Sequence, residues 1–131
     1  MGDKISMDDI FYMSPQVIDL VDVNRSANMI NVHNTTITKS SGVLEVEYSE
    51  GVVAQWFSMK LEEFQEIEDR EFLRKNNIKS VFCVSHHSND YSLIKAHIKE
   101  LLQEYGGWIG NDSKGFQPYY NIMDIDGFSY I

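Results

Sequence analysis

The chain has 131 residues, of which 43% are apolar and 12% aromatic, a composition that excludes a disordered segment and predicts one domain over residues 1–131. Eleven lysines and arginines against twenty aspartates and glutamates leave a net charge of −9, which argues against a surface built on nucleic-acid phosphates. The single cysteine, Cys83, excludes an internal disulfide and any multi-thiolate zinc site.

In chain order, Met1-Gly2-Asp3-Lys4-Ile5-Ser6 lacks a basic region followed by an apolar stretch, so it does not read as a signal peptide. Gly2 and Ser6 do match the loose myristoylation pattern. No apolar run approaches the roughly 18 residues of a membrane span, and a lone thiol suits a reducing interior, so a cytoplasmic location is expected. Ser14-Pro15 predicts a helix start, with the hydroxyl as cap and proline at the first helical position. Val17, Ile18 and Val21 give it a short apolar stripe through Asp22. The β-branched stretch that follows predicts a strand around Met29–His33, continuing toward Thr38. Ser40-Ser41-Gly42 is a turn. From Val43 to Tyr48, Leu44, Val46 and Tyr48 share one face and Glu45 and Glu47 the other, the pattern of a half-buried antiparallel strand. Glu50-Gly51 turns the chain into a strand over Val52–Ser58, completing a meander.

Leu61 to Lys75 predicts a helix, with Leu61, Phe64, Ile67 and Phe72 near one face and Asn76-Asn77 at its end. Ile78–Val84 is a mostly apolar strand suited to the middle of a sheet. After the loop Ser85–Asp90, Tyr91, Ile94, Ile98, Leu101, Leu102 and Tyr105 form the stripe of an amphipathic helix, and Gly106 sits where a left-handed terminator belongs. Trp108-Ile109 opens a short strand. The order α-β-β-β-α-β-α-β predicts an α+β fold, a mainly antiparallel sheet of about four to five strands with the helices packed on one side.

Ser85-His86-His87 with Asp90 falls between a buried strand and a helix start, a junction where free N–H groups face outward and ligands commonly bind. His86, His87 and Asp90 are therefore candidate acid–base residues. The two imidazoles and that carboxylate, with Asp112 or His33 completing the set, are also candidate metal ligands. Against both, neighbouring side chains of an extended chain point to opposite sides, and no metal-binding histidine spacing is present, so no cofactor is expected. Cys83, inside an apolar strand, is expected to be a packed thiol and not a nucleophile acting with His86. His97 borders the apolar stripe and is expected to have a hydrogen-bond partner. Asp124-Ile125-Asp126-Gly127 opens like a calcium loop but lacks the distant glutamate.

Charge is spread unevenly: residues 1–71 hold 14 acidic and 5 basic side chains, residues 72–131 six of each. Glu62, Glu63, Glu66, Glu68, Asp69 and Glu71 are opposed within their stretch only by Arg70, and with Glu45 and Glu47 they predict an acidic face. From Tyr105 onward lie 7 of the 16 aromatic residues and 5 of the 8 glycines, which predicts a hairpin turning near Asp112–Gly115 whose rings divide between core and binding surface. Trp108, Tyr119 and Tyr120 are the candidate anchors.

In size, acidity and α+β class the chain resembles antitoxin-style inhibitors, including the immunity proteins of bacterial toxin systems. The resemblance implies a protein-binding module that covers a basic partner with an acidic surface, here Glu45, Glu47, Glu62, Glu63, Glu66 and Asp69. Two other functions compete with it. One is a metal-dependent or acid–base hydrolase using Ser85-His86-His87; the other is a subunit or scaffold that associates with itself through the aromatic tail. Neither nucleic acid nor membrane is expected as a partner.

Overall fold

The computed structural model describes residues 7–38 and 40–129, so the pattern at Gly2 and Ser6 lies outside the described residues. The elements are β1 (Asp8–Ser14), α1 (Leu20–Met29), β2 (Asn34–Thr38), β3 (Val43–Ser49), β4 (Val52–Met59), α2 (Ile67–Lys75), β5 (Ser80–His86), α3 (Tyr91–Tyr105), β6 (Trp108–Asn111) and β7 (Tyr119–Tyr120). Single helical turns lie at Leu61–Glu63, Ser88–Asp90, Lys114–Phe116 and Ile125–Gly127. The class is α+β, with every ladder antiparallel and the strands in the order β2-β3-β4-β5-β1-β6-β7. Among the described residues seven strands replace the expected four to five, and a strand precedes the first helix. Among the described residues no helix is long and apolar enough to cross a membrane.

The opening strand explains most of the difference. Ile10, Phe11, Tyr12 and Met13 are consecutive buried residues, and such a run is satisfied only between two strands with a layer on each face. β1 accordingly pairs with β5 from Asp8↔His86 to Ser14↔Ser80 and with β6 from Ile10↔Asn111 to Met13↔Trp108. Ser14 therefore ends a strand and caps no helix: its hydroxyl donates to the Tyr105 carbonyl at 3.3 Å and accepts from the Gln16 amide. The helix begins beyond it at Asp19, whose carboxylate accepts the Val21 and Asp22 amides while that of Asp22 accepts the Asp19 amide. That reciprocal box satisfies more free donors than a serine hydroxyl does. Val17 is left 82% exposed in the connection. The helix buries Val23, Ser26 and Ala27 and runs through Met29, so the strand expected at Met29–His33 starts at Asn34.

Helices occupy both faces of the sheet, not one. α1 and α3 bury Val23, Ala27, Ile94, Ile98, Leu101 and Leu102 against Ile10, Tyr12, Leu44, Val46, Ala54, Trp56, Phe82, Val84 and Ile109. On the other face α2 and the preceding Phe64 pack Phe72 and Leu73 against Phe11, Met13, Val81 and Phe116. β5, buried on both faces like β1, is what requires this second layer. The α2 layer is narrow: its core draws nothing from β2 or β3 and only the partly buried Met59 from β4. Among the described residues, no part of the α2-side core covers β2, β3 or most of β4.

Candidate functional site

Alternation along β5 decides the histidine loop. Val81 and Cys83 face α2, while Phe82, Val84 and then His86 face α1 and α3. His86 is fully buried, its Nδ1 lies 3.2 Å from the Val84 carbonyl oxygen, and its ring neighbours that of Tyr91. Burial pulls its pKa below the usual histidine range, against the Val84 bond and the charges of Asp8, Asp9 and Asp90. His87 is half-buried at the start of the next helical turn, and Asp90 makes no side-chain cap bond to α3. Asp112 follows β6 on the α2 side, near enough to Cys83 and Asp69 to act on both electrostatically. His33 lies beside β2 and pairs with Glu47 at 3.7 Å. The proposed metal set is thus distributed over both faces and one edge of the sheet, and among the described residues no group of three His, Cys, Asp or Glu side chains could hold a metal ion.

Cys83 and His86 also face opposite sides, so they form no nucleophile–base pair. Burial, with Asp9 and Asp112 nearby, pushes the thiol up to about 12. His97 is buried at the centre of a chain of hydrogen bonds. Trp56 Nε1 donates to Tyr48 Oη (3.0 Å), Tyr48 Oη–H donates to His97 Nδ1 (2.7 Å), and His97 Nε2–H donates to the Val23 carbonyl (2.9 Å). A carbonyl can only accept, which fixes the proton on Nε2 and leaves Nδ1 to accept from the tyrosine. Asp126, in the calcium-like tetrad, is held instead by Lys95 at 2.6 Å and Lys99 at 3.2 Å.

The α2 side of the sheet holds the candidate carboxylates of β3, the Leu61–Glu63 turn and α2, beside Arg70, Arg74 and Lys75. Glu45 is exposed on β3 and approached by Gln55 Nε2 at 3.5 Å; Glu47, one pleat along, accepts the Gly51 amide at the hairpin turn. Glu62 and Glu63 lie exposed on the turn before α2, where Glu63 accepts the Lys60 amide, and Glu66 sits exposed at the helix N-cap. Asp69 plays a structural part, because its Oδ1 accepts the Gly115 amide at 2.7 Å and so fixes α2 to the β6–β7 connection. Burial raises its pKa, the Gly115 bond opposes that, and the charges of Glu66, Glu68 and Asp112 add to the rise.

The aromatic candidates divide. Trp108 and Tyr119 meet edge-to-face at 5.5 Å and both pack on Phe72, at 6.1 and 4.7 Å, which places them on the acidic side. Tyr119 remains 37% exposed. It borders a groove of about 280 Å³ whose charged lining is mixed, Glu68 and Glu71 with Arg74 and Lys75, beside Phe72, Gly115 and Gln117. Tyr120 faces the opposite way, toward Phe128, and Phe116 is buried among Phe11, Phe64 and Phe72. The structure adds Asp9 and Asp112 to this side, together with half-buried Val43, Val53 and Phe57 on the strands that α2 does not cover. Asp9 carried one signal, its place immediately before the Ile10–Met13 run; the others depend on strand register. In comparisons with known proteins, the chain matches no family model, no curated protein and no solved structure.

Proposed function

We propose that the chain is a cytoplasmic protein-binding module that takes a basic partner protein on the α2 side of its sheet, as an immunity or antitoxin inhibitor does. One observation carries the reading. Carboxylates drawn from β1, β3, the turn at Leu61–Glu63, α2 and the end of β6 share one side of the sheet, where they outnumber Arg70, Arg74 and Lys75 of α2, with Phe57, Trp108 and Tyr119 partly accessible among them. Concentrated negative charge steers a basic protein into place, and partly exposed rings supply desolvated contact area once it arrives. The alternative hydrolase lacks such support, because His86 and Asp112 lie on different faces.

The test compares the immobilised protein with its Glu62→Lys/Glu63→Lys/Glu66→Lys variant, both checked for native circular dichroism. Each is exposed to lysate of the source organism and washed at low and then high salt. The expected result is a basic protein held by the parent, released by salt and not retained by the variant. Equal retention by the variant, or no specific retention by either, contradicts the proposal.

A further inference from the structure

The two edges of the sheet are built differently. β7 is two residues long and directly follows Pro118, both devices that stop another strand from adding. β2, at the other edge, runs Asn34-Thr35-Thr36-Ile37-Thr38 with no charged side chain and no proline. It pairs with β3 in unbroken register from Asn34↔Glu47 to Thr38↔Val43, without a bulge. Among the described residues no strand lies on its outer side. The Thr35 amide donates to its neighbour Asn34 Oδ1 at 3.0 Å instead of to a strand, and alternation along an antiparallel ladder turns the Ile37 amide outward with it. Threonine and isoleucine are strong strand formers, so this edge is regular and pre-formed, and its own five residues carry neither charge nor proline to deter pairing.

Its surroundings select what it accepts. On the α2 side, Asn34 and Thr36 stand beside Glu47 and Glu45 of β3, so a strand added to β2 would hold alternate side chains about 10 Å, two strand spacings, from those carboxylates. On the other side its side chains would lie next to the half-buried Thr35 and Ile37. The β2 of a second copy carries no charged side chain to meet those carboxylates, and the copy brings a further net −9. We infer that the β2 edge is the docking site for an extended segment of the partner, one that alternates lysine or arginine with apolar residues and joins the sheet as an additional strand. This deepens the reading of the chain as an acidic module for a basic partner and rests on it.

The probes are two short synthetic peptides, one alternating lysine with valine and one alternating glutamate with valine. Binding is followed by titration and by amide hydrogen exchange on the full chain. The lysine peptide is expected to bind and to slow exchange at Thr35 and Ile37, and the glutamate peptide to do neither. Ile37→Pro, which removes an outward amide while leaving the ladder to β3, should abolish that protection. Glu45→Lys/Glu47→Lys should weaken the lysine peptide about tenfold and admit the glutamate peptide, since each exposed charge pair contributes modestly. Binding of the lysine peptide with protection confined to α2 would overturn the edge while leaving the acidic-module reading intact. Equal protection of β2 by both peptides would overturn the charge selection and count against that reading too. Absence of binding by the lysine peptide overturns the inference, as does protection of β2 by protein concentration alone with a dimer in sedimentation.

Discussion

His97 ties α3 to the Val23 carbonyl of α1 and to Tyr48 of β3, and burial holds its pKa down to about 4 from an ordinary 6.5. Between those values the unfolded chain binds a proton that the folded chain does not, so stability falls as pH drops through that window and the contribution is complete only above about 6.5. The loss should reach about 3 kcal/mol by pH 4, with His86, also shifted downward, acting in the same direction. Urea unfolding at a series of pH values measures it, and His97→Leu should flatten that dependence while leaving the Val23 carbonyl and Tyr48 hydroxyl short of a partner. Cys83 is a separate case. With its thiol pushed up to about 12, the thiolate is scarce near neutrality. Alkylation by iodoacetamide should then be about a hundredfold slower in the folded chain than after denaturation, followed by mass spectrometry.

At the scale of elements, the β1–β6 pairing depends on the chain passing close to the end of β1. Gly107 has φ +97, and a Cβ there would lie 1.9 Å from the Met13 carbonyl oxygen. Gly107→Ala should therefore cost about 3 kcal/mol or more, read as a drop in thermal midpoint. Asp69→Ala should cost about 1–2 kcal/mol in urea unfolding by releasing the Gly115 amide, whereas Asp69→Asn, which keeps the acceptor, should cost less. These dependencies also show which parts of the fold could be read from sequence. α3 was legible because its stripe and Gly106 agree, and the β3–β4 hairpin because alternation and Glu50-Gly51 agree. β1 was hidden because four consecutive apolar residues show no period of two, and because Ser14-Pro15 imitates a helix start whose real cap is Asp19. The doubly buried strands, β1 hidden and β5 legible as an apolar run, together require α2 on its own face. Of the candidate site, Glu45, Glu47, Glu62, Glu63 and Glu66 were legible as charge. Asp9 and Asp112 were not, since only the β5–β1–β6 register brings them beside Cys83.

For the whole molecule, the net charge of −9 comes entirely from residues 1–71, and folding brings Asp9, Glu45, Glu47, Glu62, Glu63 and Glu66 of that half to the α2 side of the sheet. Helices α1 and α3 close one face of the sheet; on the other, the described residues leave β2, β3 and much of β4 open beside α2. Within α2, Glu68, Asp69 and Glu71 are balanced by Arg70, Arg74 and Lys75, and the acidity lies in Glu62, Glu63 and Glu66 before it. A surface of this kind acts first on the rate of encounter, which salt screens over about 8–10 Å, and only then on contact energy. The most direct measurement is the association rate of the captured basic partner across a range of ionic strength, by stopped flow, for the parent and for Glu62→Lys/Glu63→Lys/Glu66→Lys. A steep fall with salt for the parent, with the variant about tenfold slower at low salt and nearly insensitive to it, is the expected result. Equal rates with no salt dependence would contradict an acidic docking surface.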